Sequence, residues 1–136
     1  HLYAPPNREL IMIAGGIGIT PMLSMLRFMA DHGDPRPLTL IWSNRNKANM
    51  VFSDEMDTLL AKLTGLRIIP IFTRSEDGGK RTGRINKNDL YTLLESCSRG
   101  SAVFICGPPQ MMQQMKSDLK SLGFPNRSLY TEVFDY

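Results

Sequence analysis

The stretch Leu10–Pro21, LIMIAGGIGITP, leaves a chain few ways to fold. Leu10–Ala14 is a short, unbroken apolar run, the composition of a strand buried on both faces of a parallel sheet. It runs directly into Gly15-Gly16-Ile17-Gly18, which no regular element tolerates well. Thr20 and Pro21 then predict a helix start, Thr20 as cap and Pro21 as first residue, where a missing N–H costs nothing. Met22, Leu23, Met25, Leu26, Phe28 and Met29 supply a broad apolar face, and Gly33 a stop. Strand, glycine turn and helix N-terminus together make an anion-binding geometry of free N–H groups and helix dipole. Gly16-x-Gly18-x-x-Pro21 imitates a dinucleotide fingerprint with proline in the third glycine's place. No Lys-Ser/Thr pair follows the glycines, which excludes a Walker-type phosphate loop.

Strand and helix patterns alternate through the rest of the chain. Leu38–Trp42 reads as the second strand, ending at Ser43-Asn44-Arg45-Asn46. Ser53 with Asp54 and Glu55 opens a second helix, whose Met56, Leu59, Leu60 and Leu63 recur at helical spacing before Gly65. Arg67–Phe72 is the third strand, and Pro70 inside it predicts an edge position. Residues 73–86, TRSEDGGKRTGRIN, have no period, and a loop of that length is functional or mobile. Asn86 opens a third helix over Lys87–Ser96 with Leu90, Leu93 and Leu94 as its apolar side. Ala102–Cys106 is the fourth strand, followed by Gly107-Pro108-Pro109 and a helix carrying Met111, Met112, Met115, Leu119 and Leu122 to a stop at Gly123. Leu129–Phe134 is the fifth.

This rhythm predicts an α/β fold: a five-stranded parallel, doubly wound (Rossmann-like) sheet with helices on both faces. The order 3-2-1-4-5 places Pro70 at an edge and makes strands one and four neighbours. Ligands bind at that reversal, beyond the carboxyl ends of the strands. Gly15–Pro21 and Cys106–Pro109 would face the same crevice.

Composition narrows the classes further. A chain of 136 residues makes one domain with a single core. Its 16 basic and 13 acidic residues are scattered, which fits an anionic small ligand or nothing in particular, and is not a nucleic-acid footprint. Cys97 and Cys106 lack metal-type spacing, so no metal site and a reducing compartment are expected. The methionines sit at helical spacing and read as core.

GGIGITPM (Gly15–Met22), SNR at the second strand's end, VFSDEM (Val51–Met56), TGRI (Thr82–Ile85) and CGPPQMM (Cys106–Met112) occur in one order and spacing. In these motifs, from about Leu10 to Phe134, the chain resembles the nicotinamide-binding domain of the ferredoxin–NADP reductase superfamily. Flavin-dependent reductases of oxygenase systems, cytochrome b5 reductase and the ferric reductases are the most similar in motif. The resemblance implies that Gly15, Gly16, Gly18, Thr20 and Pro21 approach the pyrophosphate and nicotinamide of NADH or NADPH. Asn44 and Arg45 match residues near ribose and phosphates. Thr73 and Arg74 stand where the family chooses between the two cofactors. Arg74 with Lys80 and Arg81 would clamp a 2′-phosphate, whereas Glu76 and Asp77 resemble the acidic choice of NADH-using members, so the preference stays open.

By the same resemblance Cys106 borders the nicotinamide and helps position it without acting as a nucleophile, and Gly107, Pro108 and Met111 complete that wall. Cys106, Thr20 and Glu132 are thereby implied at the reaction centre, though a solvated strand-end role for Glu132 stands beside this. Phe134 matches an aromatic covering the flavin. FAD would lie on a separate N-terminal domain, whose Arg-x-Tyr-Ser/Thr signature this sequence lacks. Residues 1–9 are thus expected as a linker from that missing FAD domain, and 10–136 as the NAD(P)H-binding domain. The implied partners are that flavin domain and a downstream electron acceptor (iron–sulfur, haem or ferric). The implied location is the cytoplasm, or the cytoplasmic face of a membrane protein. Two rivals are a non-catalytic dinucleotide-binding or sensory module and another α/β enzyme such as a nucleotide-dependent transferase.

Overall fold

A computed structural model describes residues 8–47, 50, 52–73 and 85–133. Five strands, β1 (Leu10–Gly15), β2 (Leu38–Asn44), β3 (Leu66–Phe72), β4 (Ala102–Gly107) and β5 (Leu129–Val133), form one sheet. All neighbours are parallel, in the expected order β3-β2-β1-β4-β5. The helices are α1 (Ile19–Asp31), α2 (Ser53–Lys62), α3 (Lys87–Leu94) and α4 (Pro109–Ser121).

Because strand residues alternate in direction, the apolar run of β1 feeds two separate cores. Leu10, Met12 and Ala14 join Met22, Leu26, Met56 and Leu59 of α1 and α2. Ile11 and Ile13 join Leu90, Leu94, Met112 and Leu119 of α3 and α4. The chain therefore changes faces between β3 and β4, and the reversal of order falls between β1 and β4. Pro70 lies exposed on the edge strand β3, as its missing donor requires. Asn86 caps α3 through a capping box, accepting from the Asp89 N–H at 2.9 Å while Asp89 accepts from the Asn86 N–H at 2.7 Å. At the foot of the sheet Glu9 accepts from the Ala102 N–H, and Arg8 donates to the Gly100 carbonyl at 2.8 Å.

Several local expectations are corrected. α1 begins at Ile19, two residues before Pro21, and Gly18 holds its cap position with no side-chain cap. Gly16–Gly18 already winds as a 3₁₀ turn whose last residue, Gly18, is in the right-handed region at φ −57, so the helix propagates from it and Thr20 falls, exposed, in the first turn. α2 begins at Ser53 as expected, with Phe52 at its cap position; Phe52 has φ 62, the one positive φ on a non-glycine among the described residues. Leu60 is 42% exposed. Met56, Leu59 and Leu63 point into the core, and Leu60 falls on the rim of that face. β2 extends past Trp42, because Ser43 and Asn44 pair with Ile71 and Phe72.

Candidate functional site

The carboxyl ends of β1 and β4 lie side by side, with Ala14 opposite Cys106. From them issue the turns leading into α1 and α4. Neither helix N-terminus carries a side-chain cap, and α4 starts with Pro109 after an extended Pro108. Two helix N-termini without side-chain caps, each the positive end of a helix dipole, therefore flank one crevice.

The glycines of this crevice serve different purposes. A Cβ on Gly18 would press on the Cys106 carbonyl, its carbon only 2.7 Å away. Gly18 thus seats the start of α1 directly on the end of β4, a close backbone packing that leaves no room for a side chain. A Cβ on Gly15 would lie 2.5 Å from the Met111 Sδ, and one on Gly107 2.9 Å from the Met111 Cε. The Met111 side chain accordingly spans both turns as a wall. Gly16 alone of these faces open space, with nothing within 4 Å of a Cβ and a left-handed φ of +53. Its carbonyl accepts a hydrogen bond from the Trp42 Nε1 at 3.1 Å. Sequence reasoning gave Trp42 only a place in a strand. A buried indole needs an acceptor, and that need was the available signal.

At the ends of β2 and β3, Asn44 and Thr73 are brought together: the Asn44 carbonyl accepts from the Thr73 N–H at 2.8 Å. Asn44 is 5% exposed, yet its Nδ2 has no partner. A buried amide donor left unpaired is rare and points to a group it can meet. Arg45 is exposed beside it. Arg74 and Phe134 lie outside the described residues, as do Val51 and most of TGRI.

Cys106 is 1% exposed and its Sγ donates to the Glu132 carbonyl at 3.4 Å. Burial, then the negative charge of Glu132, pushes its thiol up to about 12. It therefore stays protonated and neutral near pH 7, poorly suited to nucleophilic attack. Glu132 sits opposite Cys106 on β5 with its side chain exposed. Thr20 and Pro21 occupy the first turn of α1 at the crevice mouth. A shallow concavity lined by Asp34, Pro35, Arg36 and Pro37 precedes β2, at the opposite end of the sheet. Among the described residues no cluster of three His, Cys, Asp or Glu is placed to hold a metal ion, and no helix is long and apolar enough to cross a membrane.

An open left-handed glycine, two uncapped helix N-termini, an unpaired buried amide and a neutral thiol fit a phosphate-bearing ligand with an uncharged ring. The family described as oxidoreductase NAD-binding domain matches residues 12–117. NADH-cytochrome b5 reductase 1 of Ajellomyces capsulatus is 31% identical over 140 residues, covering 96% of this chain and 45% of that protein. Flavohemoprotein A of Dictyostelium discoideum is 29% identical over 129 residues, covering 94% and 31%. The crystal structure of a flavohemoglobin from Malassezia yamatoensis, with bound FAD and heme, superposes with a TM-score of 0.86 at 30% identity, covering 98% of this chain and 33% of that one. The chain spans less than half the length of these relatives.

Proposed function

This chain belongs to the oxidoreductase NAD-binding domain family, and from that membership we propose that it is the NAD(P)H-binding half of a flavin-dependent reductase. The observation that carries the reading is the convergence of two glycine turns and two uncapped helix N-termini at the β1–β4 reversal. In this reading the turn around Gly16 and the start of α1 receive the pyrophosphate. The unpaired Asn44 amide and Arg45 receive ribose and phosphate oxygens. Thr73 and Arg74 govern the choice between NADH and NADPH. Cys106, Gly107, Pro108 and Met111 border the nicotinamide, and the protonated thiol offers it a neutral wall. Thr20 and Glu132 flank the reacting edge, and Phe134 covers the flavin. When bound, the reduced nicotinamide supplies a hydride to a flavin; this chain's residues bind it and orient it.

The flavin, FAD, belongs on a separate domain of the parent protein, with 1–9 as the linker to it and 10–136 as the nicotinamide domain. A haem, iron–sulfur or ferric acceptor lies downstream; relatives named for cytochrome b5 and haem support the first. Two free, buried thiols support a reducing, cytoplasmic setting.

Calorimetric titration of the chain with NADH and NADPH, alongside Arg74→Ala, tests this. Saturable binding of either is expected, and a loss of NADPH preference in Arg74→Ala assigns the 2′-phosphate contact. Binding that never leads to flavin reduction, once the flavin domain is added, would leave a non-catalytic binding module instead.

A further inference from the structure

Trp42 is the chain's only tryptophan, is fully buried, and donates its Nε1–H to the Gly16 carbonyl. It stands on β2 in register with Ala14 of β1, so the sheet itself fixes where the indole lies. The acceptor is a peptide of the crevice turn, on a glycine with a left-handed backbone and open space around it. Gly16 has no Cβ to restrict its own ψ, so the sense of this peptide is left to φ of the following β-branched residue, which disfavours the left-handed region, and to the hydrogen bond its oxygen accepts. A trans peptide carries its C=O and N–H on opposite sides, and no described peptide is cis. Drawing the Gly16 oxygen inward to a core indole therefore turns the N–H of residue 17 outward, toward the crevice. The flipped peptide would offer a carbonyl oxygen in its place. An N–H binds a phosphate oxygen where a carbonyl repels it.

We propose that Trp42 is a positioning residue: its indole N–H holds the peptide between residues 16 and 17 in the one sense that presents a donor to the pyrophosphate. This rests on the dinucleotide reading above and deepens it.

The test replaces Trp42 by 3-benzothienylalanine, which keeps the ring shape and puts sulfur where the N–H was, and in parallel by phenylalanine (Trp42→Phe). ADP-ribose is the titrant, because it carries the pyrophosphate without a nicotinamide and needs no flavin domain to complete its site. Both variants are expected to raise its Kd about tenfold. The isosteric variant should keep the thermal midpoint of the unmodified chain, and its residue-17 amide signal should broaden as the peptide samples both senses. In the unmodified chain the single indole N–H signal should shift on saturation. Unchanged affinity in the benzothienyl variant overturns the role of Trp42 while leaving the dinucleotide reading intact. Failure of the unmodified chain to bind ADP-ribose overturns that reading, and this inference with it. Should Trp42→Phe fail to fold, the isosteric variant decides alone.

Discussion

Gly18→Ala distinguishes two reasons for a glycine in the crevice turn. Gly18 has φ −57, so alanine meets no backbone penalty there. Its smaller unfolded-state freedom would by itself stabilise by about 0.4–1 kcal/mol. The added methyl, however, must stand 2.7 Å from the carbonyl carbon of Cys106 and closer still to its oxygen. That neighbour is the backbone of an interior strand and cannot rotate away, so α1 must shift. Overpacking of this kind typically costs about 1–3 kcal/mol. The net expectation is a loss of about 1–2 kcal/mol. At about 2.1 cal/mol/K of unfolding entropy per residue, a chain of 136 residues loses roughly 4–7 °C of Tm. Gly16→Ala should lose a similar amount for another reason: its Cβ meets nothing, but φ +53 costs about 1–2 kcal/mol for an L-residue. Asparagine separates them, because it tolerates the left-handed region. Gly16→Asn should recover part of the loss, and Gly18→Asn should be worse than alanine. Differential scanning calorimetry reads all four. A Gly18→Ala variant with unchanged or raised Tm would refute the assignment of Gly18 to helix–strand packing.

Two further outcomes follow from buried groups. The Cys106 thiol is held up to about 12 by burial and by Glu132, so its contribution is complete below the unfolded thiol value of about 8.5. It is lost as pH rises from there toward 12, because the unfolded chain deprotonates first. Cys106→Ala should flatten the alkaline fall in stability measured by urea unfolding, and an unaltered slope would remove the thiol from consideration. Arg99 donates to the Leu122, Leu94 and Cys97 carbonyls and lies 4.7 Å from the Phe124 ring centre. Arg99→Ala should cost about 2–4 kcal/mol. Arg99→Lys, which cannot reproduce the fork, should recover less than half; equal stability of both variants to the parent chain would contradict this.

The sheet order was legible because two independent signals agreed. Pro70 demanded an edge, and the paired glycine turns demanded that β1 and β4 be neighbours. Asn86 was legible as a cap because Asp89 stands three residues on, completing a local motif that needs no tertiary partner. The start of α1 was not legible. Thr20-Pro21 is a good local cap signal, but Gly16–Gly18 had already begun to wind, and packing against β4 decided the outcome. Leu60 misled for the reverse reason: its spacing fits the apolar face, while only the position of the sheet decides how wide that face is. At the site, what Gly15 and Gly18 pack against depends on Met111 and Cys106, about 90 residues away along the chain. Sequence showed that a buried Trp42 needs an acceptor but not that Gly16 supplies it, and it did not show that the Asn44 amide is buried, because contacts across a sheet leave no trace in spacing.

Pro70 matters beyond its own strand. Any sheet that ends in an unpaired strand offers a template on which another chain can lay a further strand, the first step toward fibrous aggregation. On this rim the template is broken midway, because Pro70 supplies no donor. The β3 rim is thereby guarded against self-templating, so the domain can be concentrated without seeding its own precipitation from that side.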